Sequence, residues 1–266
     1  METDSETSEM YRYRWTPSHE LSLERFLSKY KPSRTKDDGR HPWIWIERPV
    51  AESHLWDEGA ADMARGILAE ATEKVLEIKR DRAVPWHADG ETGVRSKQEL
   101  QEEVRAQAVI DIERICRESG ATCGKWIFFV PRHRIDRVWL RLARSVVEGD
   151  LATTVAWEAK VSTVRTDDTD KQHLICLYLP NIYEKKAATE VLEVLVGQVG
   201  LTPMHAKPDM YTHIGLYTKH PSGIRPTIWK AKDLLSEEAL QELQNEYGSS
   251  HRGRKQSKAA SARRCD

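Results

Sequence analysis

Trp86 stands beside His87 and Asp89 in a stretch, 81–95, with two glycines, one proline and no apolar periodicity. An indole in such a loop anchors the loop, or is exposed as a platform for a base or a protein partner. A stacked base is worth roughly 1–3 kcal/mol. A second feature is a run of arginines. Arg134, Arg137, Arg141 and Arg144 follow each other at steps of three and four, with Val138, Trp139 and Leu142 between them and Val146 just after. On a helix this spacing makes one basic stripe opposite one apolar stripe. The basic stripe is either a solvated face or a track for phosphates. Residues 251–266 carry six bases, Arg252, Arg254, Lys255, Lys258, Arg263 and Arg264, against Asp266. Such a tail suits RNA or a nuclear targeting signal.

Enzymatic motifs are weaker. Gly120-Ala121-Thr122-Cys123-Gly124-Lys125 approaches a phosphate-binding loop, but it is one residue short and Trp126 replaces the required Ser or Thr. A helix also precedes it where a strand is needed. Neither G-x-S-x-G nor H-E-x-x-H occurs. A two-histidine phosphoesterase needs two H-x-S/T motifs, and His220-Pro221-Ser222 supplies one. Tyr211 and His213 alternate to one face of an expected strand, as an acid/base pair or as ordinary sheet-surface residues. No residue is assigned a catalytic role and no cofactor or metal is called for. Cys116, Cys123, Cys176 and Cys265 form no C-x-x-C pair, which excludes zinc-ribbon and thioredoxin-type chemistry.

The 266 residues, 39% hydrophobic and 31% charged, are enough for one large domain with a real core and much polar surface. Net charge is −1, so an RNA site must be a local patch rather than a wholly basic domain. The acidic, Ser/Thr-rich opening is unlike a signal peptide, and no apolar run reaches the roughly 18 residues of a membrane span. The expectation is a cytoplasmic, or also nuclear, protein with free thiols and no membrane contact.

Apolar spacing predicts a helix over 18–30 and a strand at Trp43-Ile44-Trp45-Ile46. A helix capped by Ser53 runs to about Arg80, and another opens at the capping box of Ser96 and Glu99 and stops at Gly120. Strands are expected at 126–130, 159–164, 173–179 and 211–217. Further helices follow Asp136, cover 184–199 up to Gly200 as a left-handed stop, and follow Ser236. Trp43, Trp45, Trp126 and Trp139 are expected in the core. The order predicts an α+β fold, a curved antiparallel sheet backed by helices on one face. The expected organisation is a disordered acidic segment 1–17, one domain 18–247 and a disordered basic tail 248–266.

Residues 124–201 carry a recognisable succession: Gly124-Lys125-Trp126, then Asp136-Arg137-Val138-Trp139, Val147-Glu148-Gly149, Ala159-Lys160-Val161-Ser162, a charged turn, Leu174-Ile175-Cys176-Leu177-Tyr178, and a helix ending in Val199-Gly200-Leu201. This order resembles translation initiation factor 4E. The whole chain is more closely similar to the basophilic-leukaemia-expressed protein family, whose domain is initiation-factor-4E-like. The matching pieces include Lys29-Tyr30-Lys31-Pro32-Ser33, Arg225-Pro226-Thr227-Ile228-Trp229 and the run from Lys207 to Tyr217. The similarity covers roughly 20–235 and is weakest over 50–110.

The resemblance implies a concave sheet face that stacks a base between tryptophans and holds phosphates with Arg165, Lys171 and Lys160. Arg165 closes Val161-Ser162-Thr163-Val164-Arg165, and Lys171 follows after a turn containing Asp167, Asp168 and Asp170. Residues 117–123 contain no aromatic where initiation factor 4E has its second sandwiching tryptophan. A complete methyl-cap sandwich is therefore not expected. Trp56, followed by Asp57 and Glu58, falls where the family's first helix presents a tryptophan to protein partners. The expected function is a non-enzymatic RNA- or nucleotide-binding module with Trp86, Lys160, Arg165 and Lys171 at the ligand. The alternatives are a protein-interaction scaffold using Trp56 and the helical face, and an enzyme acting on a nucleotide-like substrate.

Overall fold

The computed structural model describes residues 12–49, 57–87, 93–165 and 172–262, with side chains through Ser249. The chain divides into two compact units, where a single domain over 18–247 is expected from the sequence. Unit 1 comprises residues 1–52, 125–206 and 229–266, and unit 2 comprises 53–124 and 207–228.

The fold is α+β. Six strands, β1 (Arg14–Trp15), β2 (Trp43–Glu47), β3 (Gly124–Pro131), β4 (Glu158–Ser162), β5 (Gln172–Leu179) and β6 (His205–Pro208), form one sheet in the order β1-β2-β4-β5-β3-β6. The sheet is mixed rather than purely antiparallel, because β1 runs parallel to β2, whereas β2, β4 and β5 pair antiparallel. Period-two alternation sorts β2 into two sets: Ile44 and Ile46 are fully buried, while Trp43 and Trp45 are half-buried on the other face. The expectation that these two tryptophans are core is thus corrected.

The buried face of the sheet is covered by α4 (Arg132–Val147), whose Ile135, Val138, Trp139, Leu142 and Val146 point inward. Each fully buried aliphatic side chain there contributes about 1.5–3 kcal/mol. Trp126 and Trp139 are buried as expected. Their indole N–H groups lack an acceptor among the described residues, a cost of about 1–3 kcal/mol each that burial of the rings outweighs.

Asp136 does not cap α4. The helix opens four residues earlier, after Pro131, because proline presets the backbone angle and has no N–H to satisfy. The Asp136 carboxylate reaches back to the segment after α1 (Leu23–Lys29), accepting from Ser33 N at 2.9 Å and Ser33 Oγ at 2.6 Å.

Residues expected as a strand over 211–217 begin instead as α6 (Asp209–His213). Pro208 again starts the helix, and Met210, Tyr211 and Ile214 are buried at helical spacing. The strand at this point is β6, just upstream. Tyr211 is buried and His213 exposed, so they form no acid/base pair. Burial instead pushes the Tyr211 hydroxyl well above the usual tyrosine range.

Unit 2 is built on two long helices, α2 (Glu58–Arg80) and α3 (Lys97–Ser119). Ala60, Ala61, Ala64, Leu68, Ala71 and Val75 are its buried face on α2, small enough for close approach. Asp57 caps α2, its carboxylate accepting from Ala60 N. Ser53 lies outside the described residues. The capping box of α3 forms as expected: Ser96 Oγ accepts from Glu99 N at 3.2 Å and Glu99 Oε2 accepts from Ser96 N at 2.8 Å. Gly120 ends α3 in the left-handed conformation.

In unit 1, α5 (Lys185–Val194) continues as a π-turn, Leu195–Val199, and ends at left-handed Gly200. After the short α7 (Ala231–Leu234), α8 (Glu237–Ala262) lies over that π-turn. It is helical past Tyr247 to Ala262, over residues where an irregular tail is expected. No described helix is long and apolar enough to cross a membrane.

Candidate functional site

Where β4 and β5 diverge, unit 1 has a cavity of about 620 Å³. Its lining includes Trp43 from β2, Phe129 from β3, Ser162, Thr163 and Arg165 at the end of β4, His173 from β5 and Asp37 from the loop before β2. The cavity volume is within the ordinary range for small-molecule sites.

Backbone pairing creates this juxtaposition. Trp43 and Ser162 are directly opposite in the β2–β4 register. Beyond Ser162, Thr163 N donates to Pro42 O at 3.0 Å. The next residue switches partners: Val164 N donates to Thr35 O and Asp37 N to Val164 O, both at 2.8 Å. This short parallel bridge holds Arg165 and Asp37 on the same cavity. It grows from the turn that Asp136 clamps at Ser33.

The loop between Asp37 and His41 is held by carboxylates. Asp37 Oδ1 accepts from Gly39 N at 2.8 Å, which leaves its second oxygen without a partner among the described residues. Asp38 accepts from the His41 ring and from the backbone N–H groups of Arg40 and His41. Gly39 has φ +86°, a conformation glycine adopts without steric cost. The His41 hydrogen bond, followed by that of Arg40, lowers the Asp38 pKa from 3.8 to about 2. The loop's stabilisation by this carboxylate is therefore full above pH 3.8 and lost as pH falls through about 2. In an NMR titration the Arg40 and His41 amide shifts are expected to move with a midpoint near 2. A midpoint near 3.8 would show that these bonds do not form.

Inside the cavity, His173 Nδ1 donates to the Ser162 carbonyl at 2.8 Å. A carbonyl only accepts, so this ring carries a proton on Nδ1. Phe129 is 46% exposed, unusual for a ring on a central strand. The cavity thus combines two accessible aromatic rings, one guanidinium, one carboxylate oxygen and small hydroxyls.

Lys160 is on the same sheet face, two residues before Ser162. Its Nζ stands 4.5 Å from the Trp43 ring centroid, 4.5 Å from Trp45 and 5.3 Å from Tyr178. Trp45 and Tyr178 stack at 6.1 Å. Beyond them Arg14 lies 4.8 Å over Trp45 and pairs with Glu47 at 2.6 Å and Glu158 at 3.0 Å. Glu47 and Glu158 are opposite in register, and Arg14 offsets the repulsion of like charges so placed.

Of the residues picked from sequence, Arg165 lines the cavity and Lys160 flanks it through Trp43. Trp86 belongs to unit 2 and is not part of the lining; it is 68% exposed, with the Lys97 amine 4.9 Å from its ring. Lys171 and Trp56 lie outside the described residues. The arginine stripe is partly consumed: Arg144 binds Glu24 through two nitrogens, and Arg141 donates to the Tyr247 hydroxyl. Arg134 and Arg137 have no ion pair among the described residues. Asp37, Trp43, Phe129 and His173 were not legible as site residues, and Trp43 was expected in the core.

The sequence comparison adds the family. Residues 1–215 match the family described as Basophilic leukemia-expressed protein Bles03. The chain belongs to that family. In this Bles03 family member the matched region includes every lining residue of the cavity, together with Lys160 and the rings of Trp43, Trp45 and Tyr178 around it.

Proposed function

We propose that this Bles03 family protein is a non-enzymatic nucleotide- or RNA-binding module with an initiation-factor-4E-like sheet. Its ligand is a purine nucleotide seated in the cavity of unit 1. The base lies against Trp43 and Phe129, its N–H groups face Asp37, and its phosphates are directed to Arg165. The observation that carries this reading is the convergence of Arg165 and two accessible rings on one 620 Å³ cavity. Rings bind bases of any sequence through their faces, and guanidinium binds phosphate oxygens through paired N–H donors. Lys171 stays in the proposal on the sequence resemblance alone.

The test is calorimetric titration of the full chain with GTP and with a short single-stranded RNA, at low and physiological salt. Saturable binding is expected, weakening with salt. Arg165→Glu is expected to weaken it by roughly 30-fold or more, because a lost charged hydrogen bond of about 1.5–3 kcal/mol is joined by repulsion. Unchanged affinity in Arg165→Glu would sink the cavity as the site. Trp86 is a second stacking candidate. Loss of RNA affinity in Trp86→Ala with GTP affinity unchanged would give it a site of its own.

A groove between α1 and α4 favours the scaffold alternative. It measures about 380 Å³, with Leu27, Pro32, Trp139 and Leu140 in its lining and Lys31 and Arg137 beside them. Neither cation has an ion pair among the described residues. On this reading a partner's apolar residue enters the groove beside an acidic one, and Leu140→Asp removes the partner while leaving GTP titration unchanged.

A further inference from the structure

We propose that the turn 31–36 and the opening of α4 form a phosphate track for single-stranded RNA, running outward from the nucleotide cavity. The inference rests on the nucleotide reading above and deepens it: the ligand is an RNA strand rather than a free mononucleotide.

Specific bonds hold the two segments together. Asp136 accepts from Ser33 N and Ser33 Oγ, and Arg132 Nη2 donates to the Ser33 carbonyl at 3.2 Å. Both segments also lead straight out of the cavity. Lys36 bridges to Val164, a lining residue, and Asp37 is itself in the lining. On the other segment Phe129 lines the cavity and Arg132 follows three residues later, a span of at most about 11 Å. The basic residues thus begin at the cavity's edge.

Positive charge is concentrated here. With His neutral, residues 31–41 and 132–137 carry seven Lys and Arg against three carboxylates, an excess of +4 in a chain whose net charge is −1. Five of the cations, Lys31, Arg34, Lys36, Arg134 and Arg137, have no ion pair among the described residues. All but half-buried Lys31 are exposed. Like charges crowd as well. The first turn of α4 holds Arg132, His133 and Arg134 and no acid, an order the helix dipole disfavours. Arg134 and Arg137, one turn apart, repel each other. A row of phosphates on this surface relieves both costs. None of the five cations lines the cavity, so a mononucleotide seated there leaves them unmet, whereas a strand with one nucleotide in the cavity brings further phosphates to them. Such contacts add affinity without reading sequence. The accessible rings next to the patch favour a partner with bases over a lipid surface.

The experiment titrates a short, labelled single-stranded RNA with the full chain and follows anisotropy, beside calorimetric titration with GTP. The variant is the triple Arg34→Ala/Lys36→Ala/Arg134→Ala, three exposed side chains outside the cavity lining, with thermal melts as the folding control. Each single-strand phosphate neutralised contributes a slope of about −0.7 to log K against log salt. Wild type is expected to bind RNA more tightly than GTP at low salt, and the triple variant to lose RNA affinity while keeping that for GTP. Between about 50 and 200 mM salt the fall in RNA affinity is expected to be roughly 20-fold smaller in the triple variant than in wild type. Lys185→Ala/Lys186→Ala/Lys232→Ala removes the same charge from α5 and α7 and is expected to keep the wild-type response. Residues 252–264 are common to all three chains, so the difference isolates the patch. An unmoved salt response in the folded triple variant, or an equal loss in the lysine control, would overturn the track and leave the nucleotide reading standing. Failure of wild type to bind GTP would overturn the nucleotide reading, and the RNA response would still decide the track. Sedimentation of wild type, but not of the triple variant, with phosphatidylserine vesicles while neither binds RNA would make the patch a lipid-facing surface and overturn the inference. If the triple variant fails to fold, Arg34→Ala alone is read in the same way, with an expected difference of roughly threefold.

Discussion

Gly200→Ala is expected to destabilise the protein by about 2–5 kcal/mol, lowering the melting temperature by roughly 5–15 °C. Two causes combine. Gly200 has φ +66°, where a side chain costs about 1–2 kcal/mol. An added Cβ would also stand 2.3 Å from Cε1 of Tyr247 and 2.4 Å from its Cζ. The ring cannot yield freely, because its hydroxyl accepts from Arg141 Nη1 and the guanidinium lies 5.3 Å from its centroid. Arg141 Nη2 also donates to the Gly200 carbonyl at 3.4 Å. Moving the ring therefore lifts α8 from the π-turn. Gly39→Ala is the control, since Gly39 shares a positive φ but nothing lies within 4 Å of its added Cβ. The loss should be clearly larger at Gly200, and Tyr247→Ala should make the second substitution nearly equal to the first. Equal losses at both glycines would show that Tyr247 does not rest on Gly200.

Asp136→Ala is expected to cost about 2–3 kcal/mol and to weaken nucleotide binding as well. The carboxylate is half-buried and accepts two hydrogen bonds from Ser33. Its removal leaves the Ser33 N–H unsatisfied and frees the turn in which Arg34 N and Thr35 N donate to Lys31 O. That turn leads directly into the Thr35–Val164–Asp37 bridge at the cavity. Chemical denaturation reports the first effect and GTP titration the second. Asp136→Asn keeps an acceptor for Ser33 N and should recover part of both. A stability loss with GTP affinity untouched would separate the clamp from the site. The same loss would not be expected from Arg137→Ala, whose side chain has no hydrogen bond among the described residues.

Much of the local structure was legible in the residues themselves. The capping box of Ser96 and Glu99 and the left-handed stops at Gly120 and Gly200 depend on neighbours within a few positions. Their energies are set by the backbone and adjacent side chains, so spacing is sufficient information. Asp136 shows where that logic ends. Its sequence position suits a helix cap, but Ser33, far away in the chain, offered two donors, and Pro131 had already started the helix. The run from Tyr211 failed differently: a short apolar stretch fits strand and helix equally well, and Pro208 together with burial of Met210, Tyr211 and Ile214 decided for the helix.

Family, α+β class and the candidacy of Arg165 and Lys160 were thus determined by sequence alone. The cavity was not. Asp37, Trp43, Phe129, Arg165 and His173 come from five separate segments, and no spacing along the chain encodes their meeting. The β2–β4 register and the Lys36–Val164 bridge bring Asp37, Trp43 and Arg165 together, and the β4-β5-β3 strand order adds His173 and Phe129. The same register puts the Lys160 amine among three rings, because hydrogen bonds between distant strands fix which side chains share a face.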